Sequence, residues 1–201
     1  MLQSVTFQSL TIQQFLQLVN DDDPIQYELV RGRLVAMPEP SDQHEEIVRF
    51  LDIELALIIR QSKFNWTTRR RNLLELDPAS GRRPDLAVIA KPERWRENEI
   101  EQGIKSVPYL IVEVASSNWS NDLIDKQEEY EALGIPEYWI VDYKGQIPAK
   151  YCLRGKGKKV IVLTLENGAY KRVEYVLGET VPCQTFPDLI LTVDQIVSAG
   201  V

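Results

Sequence analysis

The spacing of apolar positions along the chain changes often enough to mark out its elements. Ile12, Phe15, Leu16 and Val19 recur at helical spacing behind Thr11, and Gln14 lies three positions after that threonine. This predicts a short amphipathic helix over 12–19, opened by a capping box. Asn20, the acidic run 21–23 and Pro24 end it. Residues 27–31 and 33–37 are β-rich and split at Gly32, a hairpin with glycine in the turn. Ser41 suits an N-cap, and Ile47, Leu51, Leu55 and Ile58 form the inner stripe of a helix reaching about residue 60. Segments 64–70 and 72–76 read as strands with a basic junction, and 77–81 as a loop. Pro84-Asp85 opens the apolar run 86–90. Residues 91–107 are charged and irregular, a surface loop with a short helical piece. The run 108–115 is apolar on both faces, as in a central strand covered on both sides. A turn over 116–120 leads into a helix over 121–133, stopped at Gly134, and 137–142 is another strand. Strand candidates follow at 149–153 and 159–165, then a turn at Asn167-Gly168 and a final helix over 192–199.

Composition narrows the class. At 201 residues, 44% hydrophobic and 26% charged, the chain is long enough for its own core and is expected to form one domain. Cys152 and Cys183 are too few for a disulfide framework and fit a reducing compartment. The N-terminus lacks the basic and apolar regions of a signal peptide. No stretch approaches the roughly 20 apolar residues of a membrane span. The expectation is a cytoplasmic protein with no membrane partner. A net charge of −7 argues against a protein that coats nucleic acid, but the charge is uneven. Residues 60–96 hold ten Lys+Arg against four Asp+Glu, and residues 97–142 hold two against eleven. Arg69, Arg70 and Arg71, with Arg82 and Arg83, suit either phosphate contacts or solvated strand ends.

The candidate chemistry sits between Pro84 and Lys126. Side chains alternate faces along a strand, so Glu113 shares a face with Ile111 and Ala115. An ionised carboxylate there is costly unless it is paired or bound to metal. Asp85 meets the same cost, eased by its place at a strand start. If the two strands are neighbours, their carboxylates converge on one cation. Mg²⁺ suits oxygen ligands and keeps several waters, so one or two carboxylates plus a substrate phosphate suffice. Leu123, Lys126, Tyr130 and Leu133 share one helical stripe, which puts an ammonium on the inward face, with Asp122 placed to orient it. His44, the only histidine, lies three residues before Ile47 and points inward. It suits either a hydrogen bond that fixes the first turn or a contact at the site's edge. Glu28 by itself reads as a solvent-facing strand residue. The implied reaction is metal-assisted phosphodiester hydrolysis, with Lys126 positioning water or stabilising developing charge. A zinc set, Gly-rich phosphate loops and a Gly-x-Ser-x-Gly elbow are all missing from the sequence.

Pro84-Asp85 followed by Glu113-Val114 resembles the PD-(D/E)XK nuclease superfamily. In that superfamily a lysine usually follows two residues after the glutamate, where this chain has Ala115. One branch, the "putative restriction endonuclease" family abundant in cyanobacteria, carries the lysine on the next helix. The chain resembles that branch along nearly its whole length. The matching pieces include Tyr27-Glu28-Leu29, Pro40-Ser41 with His44, Asp122 with Lys126 and Tyr130, Gly134 to Trp139, and Phe186-Pro187-Asp188-Leu189. The resemblance implies an α/β (mixed α+β) fold: a restriction-endonuclease-like core at about 25–143, whose central mixed β-sheet is flanked by helices. A β-rich C-terminal extension over about 144–201 would complete the single domain. It further implies Mg²⁺ as cofactor, with Mn²⁺ as substitute, and Asp85, Glu113 and Lys126 in catalytic roles. Glu28 is carried over as a further metal ligand beside Asp85 and Glu113. The expected function is a DNA endonuclease acting as a homodimer. The alternative is a catalytically inactive nucleic-acid-binding or regulatory module on the same scaffold. Arg31-Gly32-Arg33 and Asn118-Trp119 depart from the family pattern at places that affect what binds.

Overall fold

The computed structural model describes residues 9–19, 25–91 and 103–199. Its helices are α1 (Ile12–Leu18), α2 (Asp42–Ser62), α3 (Lys126–Leu133) and α4 (Val193–Val197). Its first strands are β1 (Tyr27–Val30), β2 (Arg33–Ala36), β3 (Trp66–Arg69), β4 (Leu74–Asp77), β5 (Ser80–Arg82) and β6 (Leu86–Ala90). The rest are β7 (Leu110–Val114), β8 (Glu137–Asp142), β9 (Lys159–Glu166), β10 (Ala169–Val176), β11 (Thr180–Val181) and β12 (Leu191–Thr192). The chain forms two compact units. Of the described residues, one takes in 9–19, 25–39, 72–83 and 103–105; the other takes in 40–71, 84–91 and 106–199.

The smaller unit is a four-stranded sheet in the order β2-β1-β5-β4, with α1 beside it. Thr11 and Gln14 form the expected capping box, and α1 buries Ile12 and Phe15 with Leu29 and Leu73. The segment 77–81, expected as a loop, instead contains a strand. The Asp77 carboxylate accepts the Ala79 N–H at 2.7 Å, which tightens the turn to Pro78-Ala79. Ser80–Arg82 is then free to pair with both β4 and β1. The β1–β2 hairpin turns on Arg31 and Gly32, both at positive φ. A Cβ at Gly32 would lie 1.8 Å from Ser9 Oγ, on top of the left-handed backbone. Gly32→Ala is therefore expected to destabilise the protein by about 1–2 kcal/mol, read as a lower urea midpoint at unchanged m-value.

The larger unit holds a six-stranded mixed sheet in the order β10-β9-β8-β7-β6-β3. All neighbours are antiparallel except β7 and β8, whose parallel pairing requires the crossover that α3 supplies. One face, with Val88, Val112, Val114, Trp139 and Val141, packs against Ile47, Leu51 and Leu55 of α2 and Ile196 of α4. Glu113, one residue out of step with Val112 and Val114, belongs to the opposite face. There α3 covers the sheet, with the Tyr130 ring set edge-on to Tyr138 at 5.0 Å. This is the expected mixed α/β architecture, a mixed sheet flanked by helices.

Two expectations in this unit change. Residues 149–153 are not a strand: Tyr151 and Cys152 donate to the carbonyls of Pro148 and Ala149 in a single 3-10 turn. The next two N–H groups go to the Glu174 carboxylate instead of a neighbouring strand. The helix expected over 121–133 begins as a π-helical turn, Asn121–Asp125, before α3. The expected helix stop at 20–24 and most of the expected 91–107 loop lie outside the described residues. No helix among the described residues is long and apolar enough to cross a membrane.

Candidate active site

The pairing of β6 with β7 builds the centre of the site. Leu86 lies opposite Val112, so Asp85, one residue before β6, comes opposite Glu113. The contact is direct. The Asp85 N–H donates to Glu113 Oε2 at 3.3 Å, and Asp85 Oδ2 accepts the Val114 N–H at 2.8 Å. Both carboxylates are buried. Asp85 is fixed at the strand's start by Pro84, whose carbonyl accepts the Arg71 N–H.

Helices on the two faces of the sheet complete the cluster. From α3, Lys126 Nζ reaches Glu113 Oε1 at 2.9 Å and Asp122 Oδ1 at 3.1 Å. The π-helical turn matters here, because the Lys126 N–H bonds to the Asn121 carbonyl five residues back. Such insertions recur at functional sites, where they re-aim side chains. Lys126 is only 4% exposed, so it does not snorkel to water. Tyr130, one turn on, donates its hydroxyl to Glu113 Oε1 at 2.9 Å. Tyr138 holds the Asp122 carbonyl at 2.9 Å. From the opposite face, the first turn of α2 supplies His44, whose Nε2 lies 3.0 Å from Asp85 Oδ2. That turn is capped by Ser41, whose Oγ also meets the Tyr143 hydroxyl at 3.0 Å.

The electrostatics differ between the two acids. Burial pushes the Asp85 carboxyl up, but the His44 bond and charge, with Lys126 and the Val114 N–H, outweigh it and hold Asp85 below its ordinary value. Burial dominates at Glu113, where Lys126 is opposed by Asp85 and Asp122, and its carboxyl sits well above its ordinary range. Burial is the first cause of that rise and Asp85 and Asp122 add to it, so three carboxylates around one lysine leave a surplus of negative charge. The donor set that presents it is all oxygen, and hard. Asp85 and Glu113 therefore fit a small divalent cation. Among the described residues, no group of three His, Cys, Asp or Glu side chains is arranged around one metal position.

The remaining candidates are used differently from expectation. Glu28 is buried, not solvent-facing. Its two oxygens accept from Arg82 Nη1 and from the Arg83 N–H, each at 2.9 Å, within the smaller unit. Arg82 and Arg83 are correspondingly buried, and the Arg83 guanidinium donates to the Tyr27 carbonyl at 3.1 Å. Expected at the surface, as phosphate contacts or solvated strand ends, they are tied into the core of their own sheet, because a buried glutamate needs donors. In the larger unit, Arg70 and Arg71 both reach Glu45, at 2.6 and 3.1 Å. Arg69 turns back onto Thr67 and Thr68 of its own strand. The Tyr143 contact with Ser41 spans 102 residues and leaves no local sign in the sequence. Tyr130, on the helical stripe and in the family-like set with Asp122 and Lys126, meets the same Glu113 oxygen as Lys126, as its place four residues later allows.

The structure defines a mixed α/β fold that gathers two buried acids, Asp85 and Glu113, around a helix-borne lysine. The sequence matches the family described as "Putative restriction endonuclease" (Uma2) over residues 12–194, and the chain belongs to that family. It is similar in fold to a crystal structure described as a "putative nuclease belonging to DUF820" from Anabaena variabilis. That likeness has a TM-score of 0.73 at 16% identity, covering 96% of this chain and 99% of the other. A comparison with curated proteins found no match.

Proposed function

We propose that the protein is a Mg²⁺-dependent endonuclease that hydrolyses phosphodiester bonds of DNA. One observation carries this: Asp85, Glu113 and Lys126, far apart in sequence, form one contiguous buried cluster. Asp85 and Glu113 would hold the cation, which when bound polarises a phosphoryl oxygen and acidifies water. His44 holds Asp85 ionised and fixes its rotamer. Lys126 supplies a fixed positive charge beside Glu113, to orient the attacking water and offset negative charge on the phosphorane-like transition state. Tyr130 keeps the Glu113 oxygen aimed. Glu28 forms a separate buried pair with Arg82 and is left out of the ligand set. Family membership supports the nuclease class; the DNA substrate and Mg²⁺ are our assignment.

The test is nicking of supercoiled plasmid by the purified protein. Cleavage is expected with Mg²⁺ or Mn²⁺ and none with EDTA. Linear product formed in one encounter, without a nicked precursor, would mark two copies acting together on a duplex. A protein that binds either cation yet leaves plasmid, linear duplex and single-stranded DNA intact would overturn the proposal.

A further inference from the structure

The connection from β8 to β9, residues 143–158, carries Lys144, Lys150, Arg154, Lys156 and Lys158 and no acidic residue, in a chain of net charge −7. Arg154 pairs with Glu179 at 3.0 Å. The four lysines are exposed, and none forms an ion pair among the described residues. Lys144 and Lys150 lie over the Tyr143 and Tyr151 rings, at 5.1 and 4.8 Å from their centroids.

The position of this segment gives the charge its meaning. β8 runs parallel to β7 with Ile140 opposite Glu113, so the connection leaves the sheet at the end where the acids sit. Two ties bind it there. At its first residue the Tyr143 hydroxyl meets Ser41, which caps the turn that delivers His44 to Asp85. Further along, the Tyr151 ring packs on Trp119, from the turn that follows the Glu113 strand, with centroids 5.2 Å apart.

The segment is also held in shape. The Asp142 carboxylate accepts the N–H groups of Gln146 and Ile147 at 2.8 and 3.0 Å. Glu174 accepts those of Leu153 and Arg154 at 2.9 and 3.0 Å and pairs with buried Lys159 at 3.0 Å. Lys159 in turn donates to the Gly155 carbonyl. Two buried acids thus act as pegs for an otherwise irregular backbone, so the lysines project from a fixed frame and little order is lost when they bind. Meanwhile the arginines that looked suited to phosphate are committed: Arg70 and Arg71 to Glu45, Arg82 to Glu28.

We propose that residues 143–158 are the element that docks the phosphate backbone of duplex DNA beside Asp85 and Glu113, through Lys144, Lys150, Lys156 and Lys158. The partner's identity rests on the nuclease reading; the location rests on charge and geometry alone. Lysine ammonium groups act on phosphates as point charges, so the contact is independent of sequence and steeply salt-dependent.

The experiment measures the affinity of a short fluorescein-labelled duplex by anisotropy in EDTA, across a salt series, so that binding is separated from cleavage. Three proteins are compared: wild type, the fourfold variant Lys144→Gln, Lys150→Gln, Lys156→Gln, Lys158→Gln, and a control with Lys63, Lys91, Lys105 and Lys171 each changed to Gln. Both variants lose the same charge, all from exposed positions. The first should bind at least about tenfold more weakly and lose about 3–4 from the magnitude of the log–log salt slope, while the control keeps the wild-type slope. In the wild type, DNA should also protect these four lysines from acylation as read by mass spectrometry, a readout that needs no variant to fold. Equal affinities and slopes for the wild type and the first variant, equal losses in both variants, or no protection would each overturn the docking assignment. Loop-dependent binding with no cleavage in Mg²⁺ would sink the nuclease reading and leave the docking element standing. Cleavage with loop-independent binding would do the reverse.

Discussion

Glu113→Gln should lower plasmid cleavage in Mg²⁺ by about a thousandfold and leave the fold intact. The substitution keeps the shape and one acceptor for the Tyr130 hydroxyl, but removes the charge that a cation needs. Its effect on stability is expected to run the other way. The fold raises the Glu113 carboxyl well above its ordinary value, with burial as the main cause. Ionising Glu113 is therefore opposed in the folded state, and the stability lost to this grows as pH rises from the unfolded pKa toward the folded one. A neutral glutamine removes that cost while Lys126 keeps Asp122 as a partner at 3.1 Å. In EDTA the variant should melt no lower than the wild type at pH 7, and any advantage should vanish below about pH 4, where both states protonate the wild-type carboxyl. Calorimetry across that range, run beside the nicking assay, checks both halves. A variant that is both inactive and unfolded would mean that the carboxylate acts in structure, not in chemistry.

Lys126→Met is expected to lose activity to a similar degree but for a different reason, and to lose stability as well. The ammonium lies between two buried carboxylates, Glu113 at 2.9 Å and Asp122 at 3.1 Å. Removing one member of a buried ion pair strands the other, typically at a cost of about 3–5 kcal/mol. For a protein of this size that lowers Tm by roughly 10 °C. Because Glu113 then lacks its lysine, added Mn²⁺ should raise the Tm of Lys126→Met by more than it raises the wild type's. A larger metal-induced shift in the variant identifies the cation position through stability alone, independent of any substrate. If metal leaves both melting temperatures unchanged, Asp85 and Glu113 do not bind it.

Much of this architecture is legible in the sequence. The capping box at Thr11 and Gln14, the stripe of α2, and the all-apolar β7 are local patterns, and local patterns follow from backbone geometry and period. The strand at Ser80–Arg82 was hidden because Asp77 tightened the turn through its own side chain, which a run of turn-forming residues does not reveal. Residues 149–153 have the composition of a strand, but the N–H groups of Leu153 and Arg154 after the Ala149–Tyr151 turn are satisfied by Glu174, a remote carboxylate that no local pattern reveals. Arg82 and Arg83 looked like surface charge for the same reason. Their partner, Glu28, is 54 residues from Arg82, and alternation alone placed it in solvent.

The order of the elements, the inward face of each, and the presence of an acid, an acid and a lysine among apolar neighbours are properties of the sequence itself, because period and burial cost are local. Which charges meet was decided only in three dimensions. The register of β6 on β7 sets Asp85 against Glu113, a π-helical turn aims Lys126 between Glu113 and Asp122, and a distant helix brings His44 to Asp85. Those pairings depend on distances between segments remote in the chain, and such distances are fixed by the packing of the whole sheet.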